Sequence, residues 1–290
     1  MTQATLGELV AEARAQLRTS GVEQPEREAW LLLAHVLGAE WPGIRMRRAE
    51  QLPPWAQRRF ESLVRRRAAR EPLQYVTGET EFMGLTLRCR PGVFIPRPET
   101  EVLVECVLER VRGWGEVVAA DIGCGTGNIA CALAHFLPQA RVEAFDRSTA
   151  AVELAEENAT AVQLADRIHC HVGAFLDPLA PAERRALSCV VCNPPYVRWD
   201  EFARLQPEVL AEPRDALDGG QDGLCFYREF IPMLNEVGGE RLVVAFEVGR
   251  GQAPAVARML GQAGKVRWTE VRRDYAGIER VVLGGTEEAR

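Results

Sequence analysis

From about residue 98 onward, short apolar runs rich in β-branched residues alternate with longer amphipathic runs, and this alternation restricts the fold more than any other feature of the chain. The short runs predict buried strands and the longer ones predict helices. Such alternation is typical of an α/β fold, a mostly parallel sheet covered on both faces, with ligands at the carboxyl ends of its strands. The predicted strands are 117–122, 141–146, 168–173, 187–193 and 241–248, and the predicted helices are 100–112, 128–137, 149–160, 223–236 and 252–262.

Two further strand-like runs close the chain, at residues 266–273 and 279–284, with no helix between them. Successive strands without a crossover predict an antiparallel hairpin, here at one edge of the sheet.

The chain before residue 75 has the pattern of helices. Thr5 and Glu8 have the spacing of a capping box, and Gly38 is placed to end a second helix. The next twenty or so residues alternate apolar and polar side chains around two glycines, as a β-hairpin does. We therefore predict a helical bundle at 1–74, a β-hairpin connector at 75–97 and an α/β domain at 98–290.

Composition excludes several classes of protein. The 290-residue chain carries a formal charge of −6, and 47% of its residues are hydrophobic, as in globular proteins. No stretch approaches the roughly 18 consecutive apolar residues of a membrane span. Residues 1–8 lack the basic and apolar segments of a secretion signal. We therefore expect a cytoplasmic protein that does not span a membrane and keeps its eight cysteines reduced.

Two cysteine and histidine patterns resemble metal sites without completing one. Cys189 and Cys192 form a C-x-x-C, but a separation of three within a strand puts them on opposite faces. His169, Cys170 and His171 alternate along a short strand with no fourth ligand nearby. Since neither pattern supplies a zinc ligand set, we expect no metal.

Charge is divided unequally along the chain. Up to residue 80, 12 arginines oppose 10 acidic residues, a balance of +2, and the remainder has 23 basic and 31 acidic residues, a balance of −8. An acidic main domain argues against tight binding of duplex DNA, because phosphate neutralisation supplies most of that affinity. One basic patch fits either a solvated helix face or a contact with an acidic or RNA-bearing partner: Arg58, Arg59, Arg65, Arg66, Arg67 and Arg70.

A glycine-rich turn joins the first predicted strand of the α/β domain to the helix after it. Glycines there let the backbone approach a ligand closely. Asp146 ends the next strand, where a carboxylate can accept both hydroxyls of a ribose, so the pair indicates a nucleoside-containing cofactor. The carboxylate of Asp121 before the turn suits the ammonium group of S-adenosylmethionine better than a pyrophosphate. The turn consists of Gly123, Cys124, Gly125, Thr126 and Gly127.

A second motif, Asn193-Pro194-Pro195-Tyr196, follows the fourth predicted strand, beside the expected cofactor. Its two prolines make the turn rigid. The side-chain oxygen of Asn193 and the carbonyl of Pro194 can then present fixed acceptors to an amino group, and Tyr196 offers a flat face for a planar substrate. Such acceptors can turn a weakly nucleophilic amide or exocyclic amine toward a sulfonium methyl.

Four motifs together carry a resemblance to a known family. They are Phe94-Ile-Pro-Arg-Pro-Glu-Thr-Glu101, Asp121-Ile-Gly-Cys-Gly-Thr-Gly127, Asn193-Pro-Pro-Tyr196, and Glu212-Pro-Arg-Asp-Ala-Leu-Asp-Gly-Gly220 with Asp222-Gly223. The chain resembles the PrmC/HemK family of protein-(glutamine-N5) methyltransferases, which modify class 1 peptide chain release factors. The resemblance implies an α/β fold with the Rossmann-like sheet of class I S-adenosylmethionine-dependent methyltransferases. A small N-terminal helical bundle and a β-hairpin connector would precede this sheet in the sequence.

The resemblance also implies roles for single residues. The turn 123–127 would wrap the cofactor, Asp146 would take its ribose and Phe175 would lie against its adenine, with Asn193 in contact with both cofactor and substrate. Phe94, Asn193, Pro194, Pro195 and Tyr196 would hold the glutamine amide of a Gly-Gly-Gln loop, and the helical domain would contact another part of the release factor. The expected product is S-adenosyl-L-homocysteine.

The sequence departs from the family pattern at two of these positions. Ala174 stands where the family usually has Asp, so the carboxylate contact to the adenine is lost or comes from Asp177. Cys124 stands where Thr is common, a change we expect to be tolerated because the loop acts through its backbone. Near the end of the chain, the loose match of Tyr275–Arg280 is assigned a structural role only.

Two alternatives remain open at this point. Asn-Pro-Pro-Tyr also occurs in adenine-N6 and guanine-N2 methyltransferases of DNA and RNA, which should have a basic channel at the active site. A binding module that has kept the fold without the activity is the other alternative. The intact Asn193 and glycine turn argue against it.

Overall fold

The computed structural model describes residues 4–287, which form two compact units. Among the described residues, the helical unit contains 4–79 together with Gln206–Ala211, and the sheet unit contains Thr80–Leu205 and 212–287. The sequence gives no sign that a segment beyond residue 200 belongs with the N-terminal helices. Residues 1–3 of the predicted helical bundle and residues 288–290 of the predicted α/β domain lie outside the described residues.

The described residues contain twelve α-helices and nine strands. The helices are α1 (Leu6–Thr19), α2 (Pro25–Leu37), α3 (Trp41–Met46), α4 (Pro54–Ala68), α5 (Leu73–Thr77), α6 (Glu99–Val111), α7 (Asn128–Phe136), α8 (Thr149–Ala161), α9 (Pro181–Ala186), α10 (Pro207–Leu210), α11 (Cys225–Phe230) and α12 (Ala253–Gly261). The strands are β1 (Glu79–Phe82), β2 (Leu85–Arg88), β3 (Val117–Ile122), β4 (Ala140–Asp146), β5 (Ile168–Val172), β6 (Cys189–Cys192), β7 (Val243–Glu247), β8 (Trp268–Arg273) and β9 (Glu279–Gly285). Among the helices so described, none is both long and apolar enough to cross a bilayer.

Helices form in the N-terminal part of the chain where the hydrophobic pattern predicts them. The capping box is confirmed, because Glu8 N donates to the Thr5 hydroxyl at 3.3 Å and Thr5 N donates to the Glu8 carboxylate at 2.8 Å. Gly38 ends α2 in the left-handed conformation, at φ 59°. The apolar stripes of α1, α2 and α4 pack together into one core, which includes Leu9, Leu17, Leu33, Phe60 and Leu63.

An ion-pair cluster in the helical unit holds part of the predicted basic patch. Arg67 is buried and pairs with Glu28 at 2.5 Å and with Glu208 at 2.6 Å, and Arg70 pairs with Glu208 at 2.6 Å. Although burial opposes ionisation, the hydrogen bonds from Arg70 and Arg67 hold the pKa of Glu208 at about 2. Arg67 and Arg70 therefore form ion pairs within the helical unit and do not contribute free positive charge to its surface.

The sheet unit is built on seven strands in the order β5-β4-β3-β6-β7-β9-β8. The first five of these are mutually parallel, and β9 runs antiparallel to both β7 and β8. The prediction of a parallel sheet with an antiparallel hairpin at one edge is thus confirmed.

Apolar residues on both faces of the sheet pack against helices. One buried cluster combines α6 and α7 with one face of the strands, and a second combines α11 and α12 with the other face. Cys189 lies in the first cluster and Cys192 in the second, so the two cysteines lie on opposite faces as their spacing predicts.

Some elements differ from the predictions. The predicted helix 223–236 is α11 followed by a 3₁₀ turn over Ile231–Glu236, because Pro232 has no N–H to continue an α-helix. The connector hairpin begins at Glu79 rather than at Tyr75, which lies in α5, and Gly78 ends that helix at φ 82°. The short helices α3, α5, α9 and α10 were not predicted, since four to six residues are too few to establish a helical period.

Candidate functional site

The carboxyl ends of four neighbouring parallel strands lie level with one another. In the strand register, Phe145 of β4 pairs with Ile122 of β3, and Ile122 pairs with Cys192 of β6, which in turn pairs with Phe246 of β7. The residue that follows each of these four in the chain therefore belongs to one row at this edge of the sheet, where neighbouring strands are about 4.8 Å apart. That row consists of Asp146, Gly123, Asn193 and Glu247.

The glycine loop, defined as residues 123–127, is held by backbone hydrogen bonds. Gly123 N and Cys124 N both donate to the carbonyl of Phe145 at 2.8 Å. Gly127 has φ 76°, and a Cβ there would lie 2.9 Å from the Cβ of Ala155 in α8. This close packing of loop against helix requires glycine at that position.

The other side chains of the loop point inward. Cys124 and Thr126 are both buried, and the Thr126 hydroxyl donates to the Asn128 side-chain oxygen at 3.2 Å. Burial raises the pKa of the Cys124 thiol well above its usual value, so the thiol stays protonated. The backbone is the part of the loop that remains to meet a ligand.

Asp146 supports the glycine loop from the next strand. One carboxylate oxygen accepts from Gly125 N and the other from Ser148 N, each at 2.9 Å. Burial raises the pKa of Asp146 despite these two bonds. Since each carboxylate oxygen has a further lone pair, the residue can still accept from a ligand hydroxyl.

Asp121 lies fully buried at the end of β3. Its Oδ2 accepts from Ala130 N at 3.0 Å, and its Oδ1 has no hydrogen-bond partner in the described part of the chain. Burial raises the pKa of this carboxyl to about 7. An unpartnered buried acceptor is costly, so Oδ1 marks a place where the donor of a ligand would complete the site.

Phe175 lies beyond the carboxyl end of β5 in a left-handed conformation, at φ 52°. Its ring packs against Phe226 and Phe230 at centroid distances of 5.4 Å, and the guanidinium of Arg147 lies 5.6 Å from its centroid. A positive φ in a bulky residue is strained, and strain of this kind is found at active sites as well as in turns. Ala174 cannot make the carboxylate contact expected at its position, and Asp177, the alternative source of that carboxylate, is exposed.

The acceptor turn, defined as residues 193–196, has two oxygens free for a ligand. Asn193 Nδ2 donates to the Thr100 hydroxyl at 3.0 Å. Within residues 4–287, neither Asn193 Oδ1 nor the carbonyl of Pro194 accepts a hydrogen bond. Tyr196 is half-buried, and burial raises its pKa, so its hydroxyl stays protonated and donates to Glu247 at 3.2 Å.

The segment 94–101 lies between the glycine loop and the acceptor turn. Phe94 Cβ lies 3.9 Å from where a Cβ on Gly125 would be, and the Arg97 guanidinium stacks over the Phe94 ring at 4.9 Å. The buried Glu212 accepts from Ile95 N at 3.0 Å and pairs with Arg97. Two motifs that are more than a hundred residues apart in sequence are thus joined through one carboxylate.

The segment 212–223 supports the acceptor turn through its backbone. Val197 N donates to Leu217 O at 2.8 Å, and Gly219 N donates back to Val197 O at 2.9 Å. A Cβ on Gly219 would lie 2.8 Å from the backbone of Tyr196. The glycines of this motif therefore let two stretches of backbone pack directly together.

The structure adds residues that the sequence analysis missed. Glu247 is buried and accepts from both Thr100 and Tyr196, and Gln252 donates to Tyr196 O at 2.9 Å. Thr100 and Glu212 were inside quoted motifs without an assigned role. A glutamate ending the apolar run Val243–Glu247 is a signal that could have identified Glu247, because unpaired carboxylates are rarely buried.

Models of two protein families match most of the chain. A model described as the PrmC N-terminal domain matches residues 8–78, and one described as the methyltransferase small domain matches residues 84–228. Together with the sheet order, the glycine loop and the acceptor turn, these matches define a Rossmann-like methyltransferase of the S-adenosylmethionine-dependent class.

Close relatives narrow the class to a family. A release factor glutamine methyltransferase of Moorella thermoacetica is 42% identical, covering 98% of this chain and 99% of the relative. One of Geobacter sulfurreducens is 39% identical, covering 97% and 96% respectively. The chain belongs to the release factor glutamine methyltransferase family.

Solved structures with low identity share the fold. A complex of the hMettl16 catalytic domain with the MAT2A 3'UTR hairpin 1 has a TM-score of 0.59 at 13% identity, covering 88% of this chain and 91% of that one. A methyltransferase from Pyrococcus furiosus has a TM-score of 0.53 at 14% identity, covering 70% and 90%. At these identities the likeness concerns the fold alone.

Proposed function

We propose that this protein transfers a methyl group from S-adenosylmethionine to the side-chain amide nitrogen of the glutamine in the Gly-Gly-Gln motif of class 1 peptide chain release factors. The observation that carries the proposal is the row at the strand ends, where Asn193 and Gly123 directly follow the paired residues Cys192 and Ile122. Two unpartnered acceptors thereby come next to a loop suited to a nucleoside. The name shared by the relatives supports the release factor as substrate.

The residues available for the cofactor fit S-adenosylmethionine, which when bound supplies a methyl group on a positively charged sulfur and leaves as S-adenosyl-L-homocysteine. Backbone amides of the glycine loop and the carboxylate of Asp146 would hold the ribose side. The unpartnered oxygen of Asp121 suits the ammonium end, and Phe175 suits the flat adenine. The proposed reaction uses no metal.

The acceptor turn would activate the substrate by orientation. An amide nitrogen is a weak nucleophile because its lone pair is delocalised into the carbonyl. Asn193 Oδ1 and the carbonyl of Pro194 would each accept one N–H of the glutamine amide, which turns the nitrogen toward the methyl group and increases its electron density. Tyr196 and Phe94 would confine the planar amide and its aliphatic stem. The nitrogen gains the methyl group and gives up one proton.

The helical unit would provide the second contact with the release factor. Arg58, Arg59 and Arg65 are exposed, and none of them forms an ion pair within the described part of the chain. They are the members of the basic patch that could face an acidic protein surface. The −8 balance of residues 81–290 disfavours a tight nucleic-acid complex. We place this reaction in the cytoplasm.

Methyl transfer from labelled S-adenosylmethionine to a purified release factor tests the proposal directly. We expect one methyl group per release factor, found by mass spectrometry on the Gly-Gly-Gln glutamine. The matched control is a release factor with that glutamine replaced by alanine, which should accept none. Transfer that persists in the control, or methylation of naked DNA or RNA instead, would contradict the assignment.

A further inference from the structure

The carboxamide of Asn193 can occupy its place in two orientations that differ by a half-turn. The two have nearly the same shape, but they exchange an acceptor oxygen for an NH₂ donor. Only one of them offers an acceptor to the N–H groups of a substrate amide. Packing cannot select between equal shapes, so hydrogen bonding has to do so.

A chain of hydrogen bonds runs from Asn193 to a buried carboxylate. Asn193 Nδ2 lies 3.0 Å from the hydroxyl oxygen of Thr100, and that hydroxyl lies 2.7 Å from Oε2 of Glu247. Thr100 and Glu247 are each 1% exposed, so no solvent competes for these bonds. The other oxygen of the carboxylate, Oε1, accepts from the Tyr196 hydroxyl at 3.2 Å.

The direction of this chain follows from the proton count. An ionised carboxylate can only accept, so the single proton of the Thr100 hydroxyl points to Glu247. The Thr100 oxygen can then only accept a hydrogen bond from Asn193, so Asn193 must donate one through its NH₂ group. Oδ1 of Asn193 is left facing away from Thr100, unpartnered among the described residues.

We propose that Thr100 and Glu247 are positioning residues that fix the Asn193 carboxamide with its oxygen toward the substrate, through the proton-donating chain Asn193 to Thr100 to Glu247. The same carboxylate anchors Tyr196, so it orients both ends of the acceptor turn. The inference rests on the proposed function only in taking an amide as the substrate. It explains why a threonine of the segment 94–101 belongs to a site otherwise formed at the strand ends.

The charge on Glu247 should control this orientation. Burial raises its pKa to about 7, while the hydrogen bonds from Thr100 and Tyr196 and the charge of Arg280 on β9 act in the opposite direction. The nearby charge of Glu99 on α6 disfavours ionisation of Glu247. Besides burial, the Glu247 carboxylate in turn raises the pKa of Tyr227 on α11 and of Cys192 on β6. Below about pH 7 a protonated Glu247 can itself donate to Thr100, and the direction of the chain is no longer fixed.

Kinetics on Thr100 variants provide the first test. With Thr100→Val, which keeps the shape and removes the hydroxyl, we expect kcat to fall by about ten- to a hundredfold, as when a supporting partner of an active-site group is lost. The dissociation constant of S-adenosylmethionine should stay within about twofold of the wild-type value, since the glycine loop is untouched. Thr100→Ser restores the hydroxyl and should recover most of kcat.

A pH profile separates this role from a merely structural one. At saturating cofactor and release factor, wild-type kcat should rise as the pH increases through about 7, because Glu247 ionises. Glu247→Gln can hydrogen-bond in either direction, so its kcat should be lower and lack this rise. The matched control is Glu143→Gln, which changes a buried carboxylate on β4 that pairs with His171 and Arg141 and should keep both kcat and the rise.

Nuclear magnetic resonance tests the orientation without any reaction. The chain has four asparagines, so selective labelling gives four side-chain NH₂ signals, and Asn193→Asp identifies the one of interest. That signal should move as Glu247 titrates in the wild type and should stay fixed in Thr100→Val. The Asn158 signal is an internal control, because its NH₂ group is bound to the carbonyls of Arg88 and Thr126.

These measurements distinguish failure of the inference from failure of the proposed function. If Thr100→Val keeps full kcat and the Asn193 signal does not change with pH, the positioning role of Thr100 and Glu247 is wrong whatever the substrate is. If the wild type leaves release factors unmethylated while the signal follows Glu247 as expected, the proposed function is wrong and the positioning chain stands.

Discussion

The two halves of the candidate site are built by different means. The cofactor half, formed by the glycine loop and Asp146, is held mostly by backbone amides and carbonyls that lie within one strand–helix–strand unit, from β3 through α7 to β4. The substrate half, formed by the acceptor turn with the segments 94–101 and 212–223, is joined by side chains from distant parts of the sequence, chiefly Thr100, Glu212 and Glu247. We infer that the cofactor half tolerates many side-chain changes where backbone geometry is kept, whereas the substrate half depends on individual polar groups.

The largest expected effect falls on the substrate half. Asn193→Ala removes the oriented acceptor, and we expect kcat to fall by about a hundred- to a thousandfold, or about 2.7 to 4 kcal/mol in the transition state. Cofactor affinity should stay near the wild-type value. Single-turnover methyl transfer and calorimetric titration measure the two separately, and an equal loss in both would show that the halves are not independent.

In the cofactor half, a substitution at a backbone-determined position should cause a loss of stability of similar size in kcal/mol. Gly127→Ala puts a Cβ 2.9 Å from that of Ala155 at φ 76°. Strain and overpacking together should destabilise the protein by about 2 to 4 kcal/mol. Urea denaturation measures the change. Gly251→Ala is the matched control, since its φ is 81° and no atom lies within 4 Å of its added Cβ, so its loss should be limited to about 1 to 2 kcal/mol.

Asp146 is a side chain on which cofactor binding should depend directly. Asp146→Ala removes a ribose acceptor and the support of Gly125 N, so we expect the dissociation constant of S-adenosylmethionine to rise by about ten- to a hundredfold. At saturating cofactor, kcat should be much less affected. A variant that binds cofactor normally but fails in turnover would mean that Asp146 acts on the substrate side.

The pH dependence of cofactor binding should report on Asp121. Its pKa is about 7 in the unliganded protein, and a bound ammonium group favours the ionised form, so binding near pH 7 should release about half a proton per site on average. Affinity should therefore be about tenfold weaker near pH 6 than near pH 7.5. Calorimetry in buffers with different ionisation enthalpies counts the proton. Asp121→Asn should bind more weakly and lose this dependence.

The smallest effect should come from a side chain of the glycine loop. Cys124→Ala removes a buried sulfur and should cost about 1 kcal/mol of stability through a small cavity. Because the loop meets its ligand through the backbone, the cofactor dissociation constant should stay within about twofold. A tenfold loss of affinity would show that the side chain matters, against the contrast between the two halves.

The sequence was most informative where function depends on local geometry. It predicted β3 to the residue, the glycine loop after it and the acidic end of β4. These features are recognisable because a hydrophobic run or a glycine turn involves only a few consecutive residues. The sequence also supplied the four motifs from which the candidate site is built. The roles assigned from the resemblance to single residues, such as Phe94 and Phe175, stay predictions.

The sequence was least informative where a role depends on a distant partner. Nothing local shows that Glu212 joins Ile95 and Arg97, or that Gln206–Ala211 packs in the helical unit. The arginine patch shows the same limit, since its six members look alike in sequence and only the fold buries Arg67 beside Glu28 and Glu208. Ion pairing between residues far apart in the chain leaves no periodic pattern to read.

By itself, then, the sequence determined the class of fold and the order of the strands along the chain, and it supplied the four motifs that we propose carry the chemistry. Only the tertiary structure decided that Asp146, Gly123, Asn193 and Glu247 form one row, since strand order and register are set by pairing across the sheet. It also decided which way the Asn193 carboxamide faces. That orientation depends on where a buried carboxylate accepts its protons, and three segments must come together before that carboxylate has partners.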